Sequence, residues 1–337
     1  MATKNRIKYF DNLKCIAIMG VIFLHCFILW DPINIFHINA NHLNQIGRFG
    51  VPLFIMISGA LLLNREIELK QFFKKRFVRI CYPLIFFIAF SYVFGIYKHP
   101  LVAFWFCWMI LGAYLAIPII NIFIQHASER EIEYFILVFI FASIFYQASS
   151  MIGFKYSLDL NFFITPVSYL ILGYYLSTKK FKGSPNRIVL VSLAIFIIST
   201  ALKMKFGNFF DIVPKMNLSA TLDVSILQIV QASSIFVLVR YLYDDVTGIF
   251  AKFKGFLESK TVSGFIESVS RASYGMYLVQ MLLLREYIRP YFKPLELSDH
   301  RMFFYSCLLF VGLFLASWII TVILGKIPYV KKVSGYA

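Results

Sequence analysis

Long apolar stretches separated by short polar segments dominate the chain from end to end. Each is roughly 18 to 23 residues long, the length that a helix needs to cross about 30 Å of hydrocarbon. The ninth is the least regular, because Gly275 and Gln280 interrupt it and Arg285 lies near its end. The pattern predicts an all-α polytopic membrane protein with about ten transmembrane helices, at 13–30, 46–64, 80–97, 101–124, 132–150, 161–177, 187–204, 222–243, 273–288 and 303–325.

Composition agrees with a membrane protein. Hydrophobic residues make up 60% of the 337 residues and charged residues only 15%, which leaves too little polar surface for a soluble globule of this size. The sequence contains no visible internal repeat or low-complexity segment. We therefore expect residues 1–337 to form a single transmembrane domain with no fused soluble domain.

Basic residues are distributed unequally between alternate loops. About two thirds of the 33 lysines and arginines fall on one side if both termini share that side. The positive-inside rule then predicts a protein of the cell (inner) membrane with both termini cytoplasmic, loops 65–75, 178–186 and 244–262 inside, and loops 31–45, 205–221 and 289–302 outside. This topology and contact with membrane lipids account for the net charge of +16, so nucleic acid is not an expected partner.

A single histidine, His25, lies inside the first apolar stretch. An ionisable side chain at membrane depth loses hydration worth several kcal/mol, which makes it a candidate for chemistry or transport. Lys14 precedes it by about three helical turns, so both residues project from one helix face about 16 Å apart. Asp11 is within reach of Lys14 but too far from His25 to orient the imidazole. A partner that orients His25 must therefore come from another helix; the alternative is a structural histidine bonded to a backbone carbonyl.

A basic cluster follows the second apolar stretch. Arg76 and Arg79 are three residues apart and share a helix face, with Lys75 beside them. Two guanidinium groups on one face at a membrane surface suit phosphate oxygens. The alternative is a charge cluster that stops translocation and contacts lipid head groups, and composition does not separate the two interpretations.

Six motifs in order along the chain resemble the acyltransferase-3 family, integral membrane enzymes that acylate sugars. Ala60 stands where that family usually has an aromatic residue, and Ala103 and Gln280 stand where it often has histidine. The resemblance covers nearly the whole chain. The matching segments are Asp11–His25, Phe49–Leu62, Arg76–Arg79, Trp105–Pro118, Leu172–Leu176 and Ser270–Leu278.

The resemblance implies a membrane O-acyltransferase that moves an acyl group, most commonly acetyl, from cytoplasmic acyl-coenzyme A to a cell-surface glycan or lipid-linked sugar. Acyl-coenzyme A is then a co-substrate, and no permanently bound cofactor or metal is expected. The coenzyme A phosphates would contact Arg76 and Arg79, with Lys14 and Lys75 nearby. A neutral His25 would act as general base on the acceptor hydroxyl.

Further residues are expected to support this site. Arg48 is either an acceptor-side group or an arginine that snorkels to the interface. Ser58 is expected to permit close helix contact rather than to act as a nucleophile. Trp105 and Tyr277 belong to the matching motifs, and Gln280 stands where the family often has histidine; these three complete the supporting set.

Two other classes of protein share parts of this pattern. A polysaccharide exporter or flippase component would also have many spans, but more polar residues along several of them or paired half-repeats. A structural membrane subunit would have the same hydropathy, but it would not explain why Lys14 and His25 lie on one helix face. The resemblance favours the acyltransferase.

Overall fold

The computed structural model describes residues 7–28, 43–96, 100–153, 158–210, 224–288 and 299–336. These ranges are helical, with no strand. A π-helix, Leu283–Ile288, continues α10, and short helical turns lie at Pro100–Ala103 and Asn161–Phe163. The longer helices in these ranges are α1 (Lys8–Ile28), α2 (Gly50–Leu62), α3 (Leu69–Val93), α4 (Trp105–His126), α5 (Glu129–Ile152), α6 (Pro166–Thr178), α7 (Pro185–Phe210), α8 (Ile226–Leu242), α9 (Gly248–Glu258), α10 (Lys260–Leu282) and α11 (Asp299–Lys326).

Every predicted apolar stretch overlaps one of these helices, which confirms the all-α membrane architecture. Six helices in the described ranges, α1, α3, α4, α5, α7 and α11, are long and apolar enough to cross a bilayer by length and composition. The apolar helices α2 and α8 are shorter than a full span, with 13 and 17 residues. Ten membrane crossings therefore stay a prediction, as does the side on which the termini lie. The predicted outer loops fall largely outside the described residues.

The predicted cytoplasmic loop 244–262 is wrong in one respect, because it contains helix α9. Ile249, Phe253 and Phe256 lie on its exposed face, while lysines interrupt the apolar run, so hydropathy averaged over a membrane-length window misses an amphipathic helix of 11 residues. Lys8 forms an ion pair with Glu258 at 3.0 Å, which joins the end of α9 to the start of α1.

Close backbone contacts hold the centre of the bundle together. Gly59 of α2 lies against the backbone of Leu170, and Gly173 of α6 lies against the backbone of Met56, with no room for a side chain at either glycine. Helices α2 and α6 are therefore in direct backbone contact where they cross. The hydroxyl of Ser58 donates to the carbonyl of Phe54 within its own helix, and Ser58 also lines the cavity described below, so its expected role in helix contact stays a prediction.

Helix α1 lies between α2 and α10 and presents most of the candidate residues. Gly50 of α2 packs directly on Ala17 and Val21, which brings the start of α2 against the middle of α1. On its other side α1 forms side-chain hydrogen bonds to α10. The outward faces of α7 and α11 expose large aliphatic side chains, as expected for lipid contact, including Ile197, Ile198, Leu308 and Ile319.

Candidate functional site

His25 is held by Gln280, which comes from α10, 255 residues along the chain. The Nδ1 atom of His25 lies 2.8 Å from the amide nitrogen of Gln280 and 3.2 Å from its amide oxygen. A primary amide serves a ring nitrogen as donor or as acceptor, depending on which of its two ends faces the ring. When the amide oxygen accepts from Nδ1–H, the Nε2 atom carries the free lone pair that a general base requires. The expectation that the partner of His25 lies on another helix is confirmed.

A second hydrogen bond joins the same two helices near the other end of α1. The hydroxyl of Ser270 donates to Oδ1 of Asp11 at 2.6 Å, and both residues are buried. Asp11 and His25 are about 21 Å apart along α1 at 1.5 Å per residue. The two hydrogen bonds therefore fix α10 along most of the length of α1.

A cavity of about 460 Å³ lies between α1, α2, α3, α4 and α10. Helix α1 contributes Asp11, Lys14 and Val21 to its wall, and α10 contributes Ser270, Tyr274 and Tyr277. Val21 is one turn before His25, and Tyr277 is one turn before Gln280. The cavity thus ends one helical turn from the His25–Gln280 pair.

The opposite end of the cavity, here called the basic end, carries its cationic groups. Lys14 comes from the second turn of α1, and Arg76 and Arg79 come from the first three turns of α3. Arg65, in the segment after α2, joins them in the cavity wall. The geometry therefore brings four cations from three parts of the chain to one concave surface, which suits an anionic ligand.

The backbone of Arg65 is fixed by α4. Its N–H donates to Oδ1 of Asn121 at 3.2 Å, and its carbonyl accepts from Nδ2 of Asn121 at 2.8 Å and from the amide of Gln125 at 3.1 Å. Three hydrogen bonds to one backbone unit hold the segment between α2 and α3 in place. Arg65 was not predicted as a site residue; it was only one of the basic residues from which the membrane topology was predicted. Its position directly after the second apolar stretch was the one feature of the sequence that could have indicated its place in the cavity wall.

The end of the cavity near His25, here called the apolar end, has a different wall. It is formed by Val21, Val51, Phe54, Phe106 and Tyr277. The ring of Phe106 contacts those of Tyr277 and Phe54, with centroid distances of 5.2 and 6.0 Å. These aromatic contacts close the wall where α2, α4 and α10 meet.

Five of the sequence-predicted site residues are not among the residues that line the cavity: His25 and Gln280 lie one turn beyond its end, and Lys75, Trp105 and Arg48 lie elsewhere. Lys75 is exposed on the surface of α3. Trp105 begins α4 and contacts its neighbour Phe106, which takes the place in the wall. Arg48 lies half-buried in the turn before α2. The motif around Trp105 was therefore informative, but the residue that meets the cavity is the next one along.

Tyr274 joins three helices and was also missed. Its hydroxyl donates to the carbonyl of Ile80 on α3 at 2.9 Å and lies 3.5 Å from Sγ of Cys107 on α4. The side chain therefore ties α3 and α4 to α10 beside the cavity. Its place in the Ser270–Leu278 motif was the only signal in the sequence.

A comparison with models of known protein families identifies the family of the chain. The model of the acyltransferase-3 family, described as an acyltransferase domain, matches residues 7–322. Comparison with curated proteins found no match, and neither did comparison with solved structures. Because the family match spans nearly the whole chain and includes every helix that lines the cavity, the protein belongs to the acyltransferase-3 family and is a membrane acyltransferase.

Proposed function

We propose that the protein transfers an acyl group from cytoplasmic acyl-coenzyme A to a hydroxyl of a cell-surface glycan or lipid-linked sugar. One observation carries the proposal: a single cavity has four cations at one end and ends one turn from the His25–Gln280 pair at the other. A donor with an anionic head and a thioester at the end of a long neutral arm matches both ends of that cavity.

The donor is oriented by charge. Guanidinium groups of Arg65, Arg76 and Arg79 form charge-assisted hydrogen bonds to phosphate oxygens, and Lys14 adds a further cation at the start of the arm. The arm then runs along α1 toward Val21, which is about 10 Å beyond Lys14 at 1.5 Å per residue. This path brings the thioester toward His25.

The transfer needs one proton acceptor beside the thioester. Nε2 of His25 takes the proton of the acceptor hydroxyl while the hydroxyl oxygen bonds to the thioester carbonyl carbon. The carbon–sulfur bond then breaks, and the leaving coenzyme A sulfur receives that proton. Gln280 keeps Nδ1 protonated by accepting its hydrogen bond, and the hydroxyl of Tyr277 is the polar group of the apolar end that can donate to the carbonyl oxygen.

The reaction is tested on the purified protein. Acyl-coenzyme A should be consumed by the wild type with release of the free thiol, and the His25→Ala variant should not consume it. A thiol-reactive dye measures the product, and size-exclusion chromatography checks that the variant is folded. Equal consumption by wild type and variant would contradict the proposed role of His25.

The proposed reaction also requires an orientation, with ten crossings and both termini in the cytoplasm. In a protein without its native cysteines, single cysteines at Asn41 and Ser298, which lie outside the described residues, should react with an impermeant thiol reagent in intact cells. Cysteines at Ser184 and Ser259 should react only after lysis. Labelling of a cysteine at Ser184 from outside would show that the protein has the opposite orientation. The basic end of the cavity would then not face the cytoplasmic donor.

A further inference from the structure

One face of α4 meets two different parts of the molecule. In the first half of the helix this face carries the cavity-lining residues Phe106, Ile110 and Tyr114. Asn121 lies on the same face, because the seven residues from Tyr114 to Asn121 make close to two full turns. Its side chain is 3% exposed in a strongly apolar helix. A buried amide in such surroundings is costly unless it is hydrogen-bonded, so the partners of Asn121 indicate its role.

Both ends of this amide bond to the backbone of one residue, Arg65. Oδ1 of Asn121 accepts from the N–H of Arg65 at 3.2 Å, and Nδ2 donates to the carbonyl of Arg65 at 2.8 Å. Gln125, one turn later on α4, donates to the same carbonyl at 3.1 Å. Because one planar amide bonds to both polar groups of a single residue, a rotation of that residue would break both bonds together. The backbone of Arg65 is therefore fixed in position and in direction.

The residue before Arg65 is fixed as well, from another helix. Asn64 has a φ of 57°, in the left-handed region that asparagine adopts more readily than most residues. Its amide donates to the hydroxyl of Tyr174 on α6 at 3.0 Å. Tyr174 follows Gly173, whose close contact with Met56 brings α6 against α2. The turn after α2 is thus held by α6 at Asn64 and by α4 at Arg65.

The guanidinium group of Arg65, in contrast, is not engaged by the protein. Arg65 lines the basic end of the cavity, and no residue of the described ranges forms a hydrogen bond or an ion pair with its side chain. Fixing the backbone in advance lowers the conformational entropy that a long side chain loses when it binds a ligand. A fixed backbone and an available cation together make a preorganised group for binding an anion.

Building on the proposed function, we infer that Asn121 is a positioning residue of the donor site. It holds the backbone of Arg65 so that the guanidinium group meets the phosphates of acyl-coenzyme A. Tyr174 supports the same turn through Asn64. Neither Asn121 nor Tyr174 lines the cavity, so both contribute to the affinity for the donor and not to the transfer step.

Calorimetric titration with coenzyme A tests the inference through a double-mutant cycle. Arg65→Ala should weaken the affinity about 10- to 100-fold, because a charge-assisted hydrogen bond to phosphate is lost. Asn121→Leu, which removes the hydrogen bonds to Arg65 at similar volume, should weaken it about tenfold. Adding Asn121→Leu to Arg65→Ala should change the affinity by less than about twofold, because the group that Asn121 positions is already gone. Additive losses in the double variant would overturn the inference.

A matched variant separates positioning from general damage to the fold. Gln231→Leu removes a buried amide of α8 that bonds to Thr200 and to the carbonyl of Gln45, away from the cavity. It should leave the affinity for coenzyme A within about twofold. An equal loss of affinity in Gln231→Leu and Asn121→Leu would overturn the inference.

Steady-state kinetics adds a measurement that a purely structural role would not move in the same way. Asn121→Leu should raise the KM for acetyl-coenzyme A about tenfold and leave kcat within about twofold, because the transfer step is unchanged. Tyr174→Phe, which loses one hydrogen bond to Asn64, should raise the KM less. A fall in kcat with an unchanged KM in Asn121→Leu would contradict the positioning role.

The outcome is distinguishable from failure of the proposed function. If the wild type binds coenzyme A and consumes acetyl-coenzyme A, but Asn121→Leu binds coenzyme A equally well, the positioning role is wrong and the acyltransfer stands. If the wild type neither binds coenzyme A nor consumes acetyl-coenzyme A, the proposed donor is wrong and the positioning role fails with it.

Discussion

Among the ionisable side chains of the described apolar helices, two are each bonded to a glutamine of a neighbouring helix. His25 of α1 pairs with Gln280 of α10, and Lys203 of α7 pairs with Gln228 of α8. By chemistry and location the two pairs are alike, and burial even favours Lys203, which is fully buried while His25 is partly exposed. Depth in an apolar helix alone would have made both of them candidates for function.

Their surroundings are different. Near Lys203, Gln231 donates to Thr200 at 2.9 Å and to the carbonyl of Gln45 at 3.4 Å, so the lysine belongs to a layer of polar side chains between packed helices. No residue of α7 or α8 is among those that line the cavity between α1, α2, α3, α4 and α10. His25, in contrast, is one turn from the end of the cavity that holds the cations. A buried polar pair is therefore a candidate for chemistry where a cavity ends close to it, and elsewhere it joins helices.

The largest expected effect separates these two residues directly. His25→Ala should lower acyl transfer by about 10²–10⁴-fold or more, because the general base is lost. Lys203→Met should leave the rate per folded molecule within about threefold, because it removes no group from the cavity. Turnover normalised to the monodisperse fraction measures both. A Lys203 variant that is folded but inactive would break the comparison.

At the other end of the cavity, Arg76→Ala and Arg79→Ala should each weaken coenzyme A affinity roughly 10- to 100-fold, the size of one lost charge-assisted hydrogen bond. Lysine should restore part of the affinity, since it keeps the charge and loses the two-pronged geometry. Lys75→Ala is the matched control and should change little, because Lys75 is exposed and does not line the cavity. If calorimetry shows an unchanged affinity for coenzyme A in both alanine variants, Arg76 and Arg79 do not bind the donor and serve only the membrane topology.

Gln280 is expected to act through His25 as a positioning residue. Gln280→Leu should lower the maximal rate about tenfold, the equivalent of one hydrogen bond, while donor affinity stays within about twofold. Gln280→His should recover part of the rate, because an imidazole can also bond to Nδ1. Steady-state kinetics over a range of donor concentrations separates the two parameters. A variant that loses donor affinity instead would show that Gln280 holds the helices rather than the histidine.

Substitutions of the Lys203–Gln228 pair between α7 and α8 are expected to have the smallest effect on activity but a clear effect on stability. Lys203→Met leaves the amide of Gln228 without this partner and should lower the midpoint of thermal unfolding, by an amount that corresponds to about 1–3 kcal/mol. Adding Gln228→Leu should recover part of the loss, since apolar groups then replace both partners. Thermal unfolding followed by tryptophan fluorescence gives the midpoints. Additive losses in the double variant would show that the pair does not act as a unit.

Sequence reasoning found the candidate residues whose signal is local. His25 was identifiable because an ionisable group interrupts an apolar stretch, and Arg76 and Arg79 because three residues separate positions on one helix face. Arg65, Ser270 and Phe106 were missed as site residues because nothing next to them in the chain shows that they line a cavity. Helix α9 was missed because a short amphipathic helix has no membrane-length apolar window.

The sequence by itself determined the helical membrane architecture, the family, and the place of His25 within an apolar helix, because hydropathy and motif spacing are properties of neighbouring residues. Only the tertiary structure decided which polar side chain meets Nδ1 of His25, since Gln280 is 255 residues away, and which cations share one cavity. It also decided that Lys203 bonds to Gln228 beside other polar side chains and does not line the cavity that ends near His25. Those outcomes depend on how helices from distant parts of the chain pack against each other, and no local pattern records that packing.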